Sequence, residues 1–327
     1  MIACLGLDLA KATFDASLHP DGDPPNLRDL RVSTFPRTAE GVAACLAWTS
    51  AWSGPETAVV MEATGRFSEE TAAWILDQSP QRPVSIVNPG QMKAFARSLG
   101  LRNKTDRLDA RMIARYGAER RPRPFVPPSP ARALLRDALR ERAQLVALRT
   151  AEHLRREDMA APAAVLAIQE EVIGALDRAR VRLETLIKET VAADPDLHED
   201  VRRLMTIPGI GLVSAATLLA EAGDLRRFHR ARELSAFLGL SPVIRQSGTS
   251  IHGRTRLCKQ GNPRVRQVLY MAAVTAARGS STLATTYRAL LERGKAPRSA
   301  LGVLMRKLAV LARALLLHGH DYRPDLA

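Results

Sequence analysis

Along the first 125 residues the apolar positions change period several times. IACLGLDLA is a short apolar run that meets an acid at Asp8, and ATFDASL then alternates in the period-two manner of a hairpin partner. TAEGVAACLAWTSAW carries its apolar residues at helical spacing. ETAVVMEATG is a second compact apolar run, stopped by Glu62, with Thr64 and Gly65 as the turn. FSEETAAWILDQS predicts a helix, capped by Ser68, whose first-turn acids match the positive end of its dipole. VSIVNPG is another buried strand ended by Asn-Pro-Gly, and LRNKTDRLDARMIARYG follows as helix. Strands and helices in this order predict an α/β domain over residues 1–125.

RPRPFVPPSPAR is a proline-rich linker that neither a helix interior nor a central strand tolerates. Beyond it, residues 131–192 read as long charged helices with Pro162 at the corner. Val165, Val172, Ala179 and Leu186 recur every seven residues, joined by Leu176 and Leu183, while Gln169 interrupts the second apolar seam. That coiled-coil-like pattern suits helices packing as a hairpin or across subunits, and an internal helical spacer is the alternative. Linker and helices together make up residues 126–199. Residues 200–327 form a third, mostly helical domain. In it two amphipathic segments meet at Ile207-Pro208-Gly209-Ile210-Gly211, and RQSGTSIHGRTRLCKQG reads as an exposed polar loop between two further helices. SALGVLMRKLAVLARALLLHG is a strongly apolar last helix that belongs in a core.

Charge narrows the choice of partner. Lys and Arg number 48 against 34 acids, a formal charge of +14, and arginine dominates the excess. Its planar fork suits phosphate, so nucleic acid is the first candidate partner; a basic composition with no target is the alternative. Cys4, Cys45 and Cys258 are scattered and outside any metal spacing, which predicts reduced cytosolic thiols rather than a disulfide frame or zinc site. The first residues lack a charged n-region and contain Asp8, unlike a signal peptide. No apolar run approaches the roughly 18 residues a membrane span needs.

Three constellations carry chemistry. Asp8 lies at the end or in the middle of a first buried strand and Glu62 closes a second, where an unpaired carboxylate is costly, and Asp106 and Asp109 are spaced to share one helix face. Four carboxylates so arranged suit a pair of Mg2+ ions, which take oxygen ligands and leave positions for phosphate and water. Each acid alone reads as readily as a cap or ion-pair partner; Asp15, on the hairpin strand, is expected to be structural. The order of elements fits an RNase H-like nuclease core. Pro208, Gly209 and Gly211 suit the turn of a helix-hairpin-helix, whose second helix offers backbone N–H groups to a DNA phosphate. A plain tight turn between packed helices has the same pattern. Finally, Ser247 lies among Arg245, Arg254, Arg256 and Lys259, with Arg264 and Arg266 beyond the helix start at Asn262-Pro263. Such a serine can attack phosphorus while arginines stabilise the developing charge, or be an ordinary loop hydroxyl; His252 is either a base or a surface histidine.

GLDLAK, MEATG, VNPGQMKAFARSLGLRNKTDRLDA, TIPGIG and QSGTSIHGRTRLCKQGNPRVRQVLYMAA, in this order, resemble the DEDD transposases of insertion-sequence family one-hundred-ten, to which the Piv-type invertases are related. The resemblance spans essentially the whole chain. It implies a RuvC-like N-terminal domain with Asp8, Glu62, Asp106 and Asp109 as the acidic tetrad, and an essential serine that maps onto Ser247, or onto Ser250 as the fallback. It also implies a recombinase guided by a structured bridge RNA that pairs with donor and target DNA. In that picture the serine forms a covalent phosphoserine link, and a partner subunit's acidic site completes the centre. The long helices then become dimer and RNA contacts in a homodimer or homotetramer. Lys104, Arg107 and Arg111 are expected to hold the phosphates on which the metal site acts. The expectation is therefore a cytoplasmic, nucleoid-associated bacterial DNA recombinase; the rival is a nuclease or junction resolvase working through metal-activated water alone.

Overall fold

The computed structural model describes residues 2–22, 26–54, 56–100, 106–158, 160–247, 251–258 and 260–324, with the side chains of 106, 244–247 and 251–255 excepted. The chain forms two compact units, Met1–Pro127 and Pro128–Ala327.

The first unit is a five-stranded mixed sheet between two helical layers. Its elements are β1 (Cys4–Leu9), β2 (Thr13–His19), β3 (Arg31–Pro36), α1 (Ala39–Ser50), β4 (Ala58–Glu62), α2 (Arg66–Gln78), β5 (Val84–Val87), α3 (Pro89–Ser98) and α4 (Asp106–Arg120). The strand order is β3-β2-β1-β4-β5. β2 pairs antiparallel with β1 and β3, while β1, β4 and β5 run parallel. Strand alternation explains the layers. Leu5, Leu7, Val59 and Met61 point to one face, against Val42 and Leu46 of α1 and Ile75 of α2. Cys4, Val60 and Val87 point to the other, against Met92 and Phe95 of α3 and Ile113 of α4.

Three local expectations change here. β3 was not predicted, because its residues are mostly half-buried or exposed and show no apolar alternation. Asn-Pro-Gly does not simply end β5: the Asn88 side chain accepts from Gly90 N–H, and Pro89 opens α3 at a position where a missing N–H costs nothing. Ser68 does not cap α2. The helix starts at Arg66 after Gly65, and Ser68 lies inside the first turn, where its Oγ donates to Gly65 O and accepts from Thr64 N–H.

The second unit holds α5 (Pro130–Glu157), α6 (Ala163–Ala193), α7 (Pro195–Met205), α8 (Leu212–Ala222), α9 (Ala231–Phe237), β6 (Pro242–Ser247), β7 (Ile251–Leu257), α10 (Pro263–Arg278), α11 (Thr282–Glu292) and α12 (Pro297–His318). α5 and α6 form a long antiparallel hairpin laced by Arg142–Glu184, Arg149–Asp177 and Arg156–Glu170, each pair seven residues on along α5 and seven back along α6. The base of the hairpin joins the unit's core: Leu135, Leu139, Ile187 and Val191 are buried with residues of α7, α8, α10 and α12. α12 buries Leu304, Leu308, Ala312 and Leu315, as its apolar pattern predicts. The expected polar loop around the serine is instead a two-stranded antiparallel hairpin, β6–β7, with an irregularity between Val243 and Arg245. Among the described residues no helix is long and apolar enough to cross a membrane.

Candidate active site

The parallel ladder between β1 and β4 pairs Leu5 with Val59, Gly6 with Val60 and Leu7 with Met61. One residue farther along each strand stand Asp8 and Glu62, neighbours at the carboxyl ends of the two central strands. Alternation puts Asp8 on the same face as Cys4 and Gly6, and Glu62 on the same face as Val60. That face is the one α4 covers.

Glycine sets how closely α4 lies. A Cβ on Gly6 would come within 2.2 Å of Ala114 N and 2.5 Å of Ala110 O, and one on Gly117 within 2.1 Å of Cys4 Sγ. From Gly117 over Cys4 to Ala110 over Gly6, the helix runs opposite to β1. Its first turn, bearing Asp109, therefore comes to the end of the strand that bears Asp8. Asp106 opens the same turn. Its side chain lies outside the described residues, as does Lys104 entirely. Asp15 sits across from Asp8 in the β1–β2 register and accepts a hydrogen bond from Thr34 Oγ1.

Among the described residues no group of three or more His, Cys, Asp or Glu side chains is placed to hold a metal ion. What fits a hard divalent cation is the donor chemistry: acids on one face and at one end of the sheet, beside the starts of α2 and α3. Arg107 is exposed at this end. Arg111 is tied into the fold, its Nε donating to Leu30 O at 3.0 Å.

In the second unit, Ser247 is the last residue of β6 and pairs with Ile251. The side chains of Ser247, Arg245, His252 and Arg254 lie outside the described residues, as do Ser250 and Lys259 entirely. Arg256 and Arg264 are exposed, and Arg266 turns inward to donate to Gly261 O at 2.6 Å. Asn262 caps α10 by accepting from Arg264 N–H at 2.9 Å, as the sequence predicts. Sequence reasoning missed what holds that cap. Asn262 Nδ2 donates to Glu221 Oε2 at 2.6 Å, and Arg140 of α5 grips both Glu221 oxygens at 2.7 and 2.9 Å. Burial pushes the Glu221 carboxyl up, but Arg140, Asn262 and Arg264 outweigh it and hold it below its ordinary 4.5. An acid inside the apolar run LVSAATLLAEA was the available signal. The Pro208–Gly211 turn joins α7 to α8. Gly209 has φ +89, and a Cβ there would meet Ala272 O of α10 at 2.3 Å, so only glycine fits both the conformation and the contact. Gly211, exposed, precedes α8 without any side-chain cap.

Comparison with known proteins places these two regions in one class. A family model described as a transposase, of the DEDD type of IS110, matches residues 5–159, and that of the IS116/IS110/IS902 transposase family matches residues 201–288. The chain is 31% identical over 325 residues to the pilin gene-inverting protein of Moraxella bovis, covering 97% of each, and equally similar to that of Moraxella lacunata. It is 28% identical over 272 residues to the transposase for insertion sequence element IS1111A of Coxiella burnetii, covering 74% of this chain and 73% of that protein. The protein is thus a DNA transposase or recombinase. It belongs to the IS110 family of transposases.

Proposed function

We propose that this protein cuts and rejoins DNA with two sets of groups: a divalent-metal site of Asp8, Glu62, Asp106 and Asp109, and a serine nucleophile, Ser247. The observation that supports the reading most is the β1–β4 register, which sets Asp8 and Glu62 side by side on the face where α4 brings Asp109 to the same end. The sheet order β3-β2-β1-β4-β5, with only β2 running against its neighbours, supports a RuvC-like assignment of the first unit. Mg2+ held there, as two ions, would supply Lewis acidity and charge stabilisation at the oxygens of the reacting phosphodiester. The chain's own part is to bind and orient. The acids of the first unit would face the scissile phosphate, and in the second unit Arg256 and Arg264 are exposed guanidinium groups available to DNA phosphates. Ser247 Oγ forms a new ester to phosphorus. The bond from phosphorus to one deoxyribose oxygen breaks, and that oxygen leaves as a hydroxyl with the serine proton. Reversal with a different strand's hydroxyl rejoins DNA and frees the serine.

The Pro208–Gly211 turn, read as a helix-hairpin-helix, offers the N–H groups that open α8 to a backbone phosphate. Donor and target are both DNA. A structured bridge RNA chooses them, and a homodimer or homotetramer brings one subunit's serine to another's acids; family membership supports both points. The same cut-and-rejoin step serves insertion or inversion, according to how the two sites are arranged.

The test is a trap for covalent protein–DNA adducts on labelled donor DNA. Wild type and Ser250→Ala are expected to give the adduct, Ser247→Ala none, and Asp8→Asn and Glu62→Gln little. Unimpaired cleavage by Ser247→Ala would overturn the serine step in favour of hydrolysis by activated water. Sequencing of RNA that co-purifies with the protein checks the guide: recovery of no discrete structured transcript counts against it.

A further inference from the structure

Arg37 lies in the corner between β3 and α1 and joins the two connections that leave the strand-end acids. Its backbone N–H donates to Ala12 O at 2.8 Å, and its Nε donates to Lys11 O at 3.1 Å. Both acceptors belong to the tight turn after β1, three and four residues beyond Asp8. Its Nη1 donates to Glu70 Oε2 at 3.0 Å, and its guanidinium lies 4.2 Å from the ring centroid of Phe67 and 5.7 Å from that of Trp74. Those three residues belong to α2, which starts four residues after Glu62. The Arg37 side chain is 11% exposed, so the grip is largely shielded from solvent. Burial pushes the Glu70 carboxyl up, yet its hydrogen bonds from Arg37 and Arg66 hold it below the ordinary carboxylate value, so it faces Arg37 ionised at neutral pH.

We propose that Arg37 is a positioning residue for the metal site: by clamping the β1–β2 turn to the start of α2, it fixes the spacing of Asp8 and Glu62. The two strands are already in register through their backbones, but side chains at strand ends depend on where the chain goes next. On the Asp8 side the chain reverses within three residues; on the Glu62 side it turns at Thr64 and Gly65 into α2. A planar guanidinium satisfies both sides at once, with donors in fixed directions and a face that stacks on Phe67. Lysine keeps the charge and loses this geometry.

This inference rests on the acids being the metal site, and the experiment separates the two ideas. Mn2+ binding to the full-length protein is titrated by electron paramagnetic resonance, with no DNA present, for wild type, Arg37→Gln, Arg37→Lys, Glu70→Gln and Asp8→Asn. Removal of residues that orient metal ligands typically weakens binding on the order of 10-fold or more. Arg37→Gln is expected to show such a loss with an unchanged far-ultraviolet circular dichroism spectrum, Arg37→Lys and Glu70→Gln smaller losses, and Asp8→Asn the largest. Wild-type Mn2+ affinity in folded Arg37→Gln overturns the proposal. Should that variant fail to fold, wild-type affinity in Glu70→Gln overturns it instead. An unchanged affinity in Asp8→Asn would sink the metal reading itself, whatever Arg37 does.

Discussion

Glu221 shows what one buried charge does in this protein. Its carboxylate side chain is 3% exposed and is held by Arg140 from α5 and Asn262 from the start of α10. Because these partners favour the ionised form, its folded pKa lies below the unfolded one, near 4.5. The sign follows from linkage: the stabilisation is fully present above the unfolded value and disappears as pH falls through the folded value. Urea unfolding of the whole chain, measured from neutral pH downward, is expected to show stability falling below about pH 4.5. Glu221→Gln should be less stable at neutral pH, because Arg140 loses its counter-charge, and its stability should fall less steeply in acid. An identical acid slope in the two proteins would show that Glu221 is not among the groups responsible. Its partner was not legible in the sequence: Glu221 stands out as an acid within an apolar run, but Arg140 is 81 positions away. The same holds for Arg37 and Glu70, 33 positions apart. Asp8 and Glu62 were legible because a carboxylate at the end of an apolar run is conspicuous without its partner.

At the scale of elements, the seat of α4 on β1 connects packing to the proposed chemistry. The atoms that a Cβ on Gly6 would strike belong to the α4 backbone, so no side-chain rotation relieves the clash. Gly6→Ala is therefore expected to push the helix outward and to destabilise the first unit by about 1–3 kcal/mol, the usual cost of overpacking. Thermal unfolding gives the stability. A Mn2+ titration of the folded variant gives the second consequence, weaker binding, because Asp109 rides on the displaced helix. A Gly6→Ala protein of wild-type stability would mean that the helix does not sit where the glycines put it. Elements with strong periodicity were readable: β1, β4 and α1. The long helices were legible as helices but not in their packing face: Val165 and Val172 of the expected seam are exposed, while Gln169 and Ile173 are buried. β3 escaped because an exposed edge strand has little need for alternation, and α3 because its Asn-Pro-Gly opening reads equally well as a turn. The β6–β7 hairpin escaped for a related reason: its polar, glycine-bearing residues carry neither a core-facing stripe nor a two-residue turn signal.

For the whole molecule, the sequence marked the acidic α/β region, the long helices and the serine region in order, while contacts gather the last two into one unit. Sequence could not show that gathering: Leu135 and Ile187 lie off the expected seam, and only the structure finds them in a core with residues of α8 and α12. The linker between the units has a further consequence. Phe125 N–H donates to Val84 O at 2.6 Å, and Ser85 Oγ donates to Pro122 O at 3.0 Å, so this stretch lies along β5, the last strand of its sheet. An uncovered outer strand offers unpaired N–H and C=O groups to any other chain, and proteins commonly cap such borders or interrupt them with proline. The proline-rich segment is then a guard against self-association as well as a tether. A fragment ending at Pro127 is expected to stay monodisperse in light scattering. One ending at Arg120 should aggregate within the same concentration range, and equal behaviour of the two would leave the segment as a spacer only. Wherever this chain is cut to study its first half alone, the protective border has to travel with it.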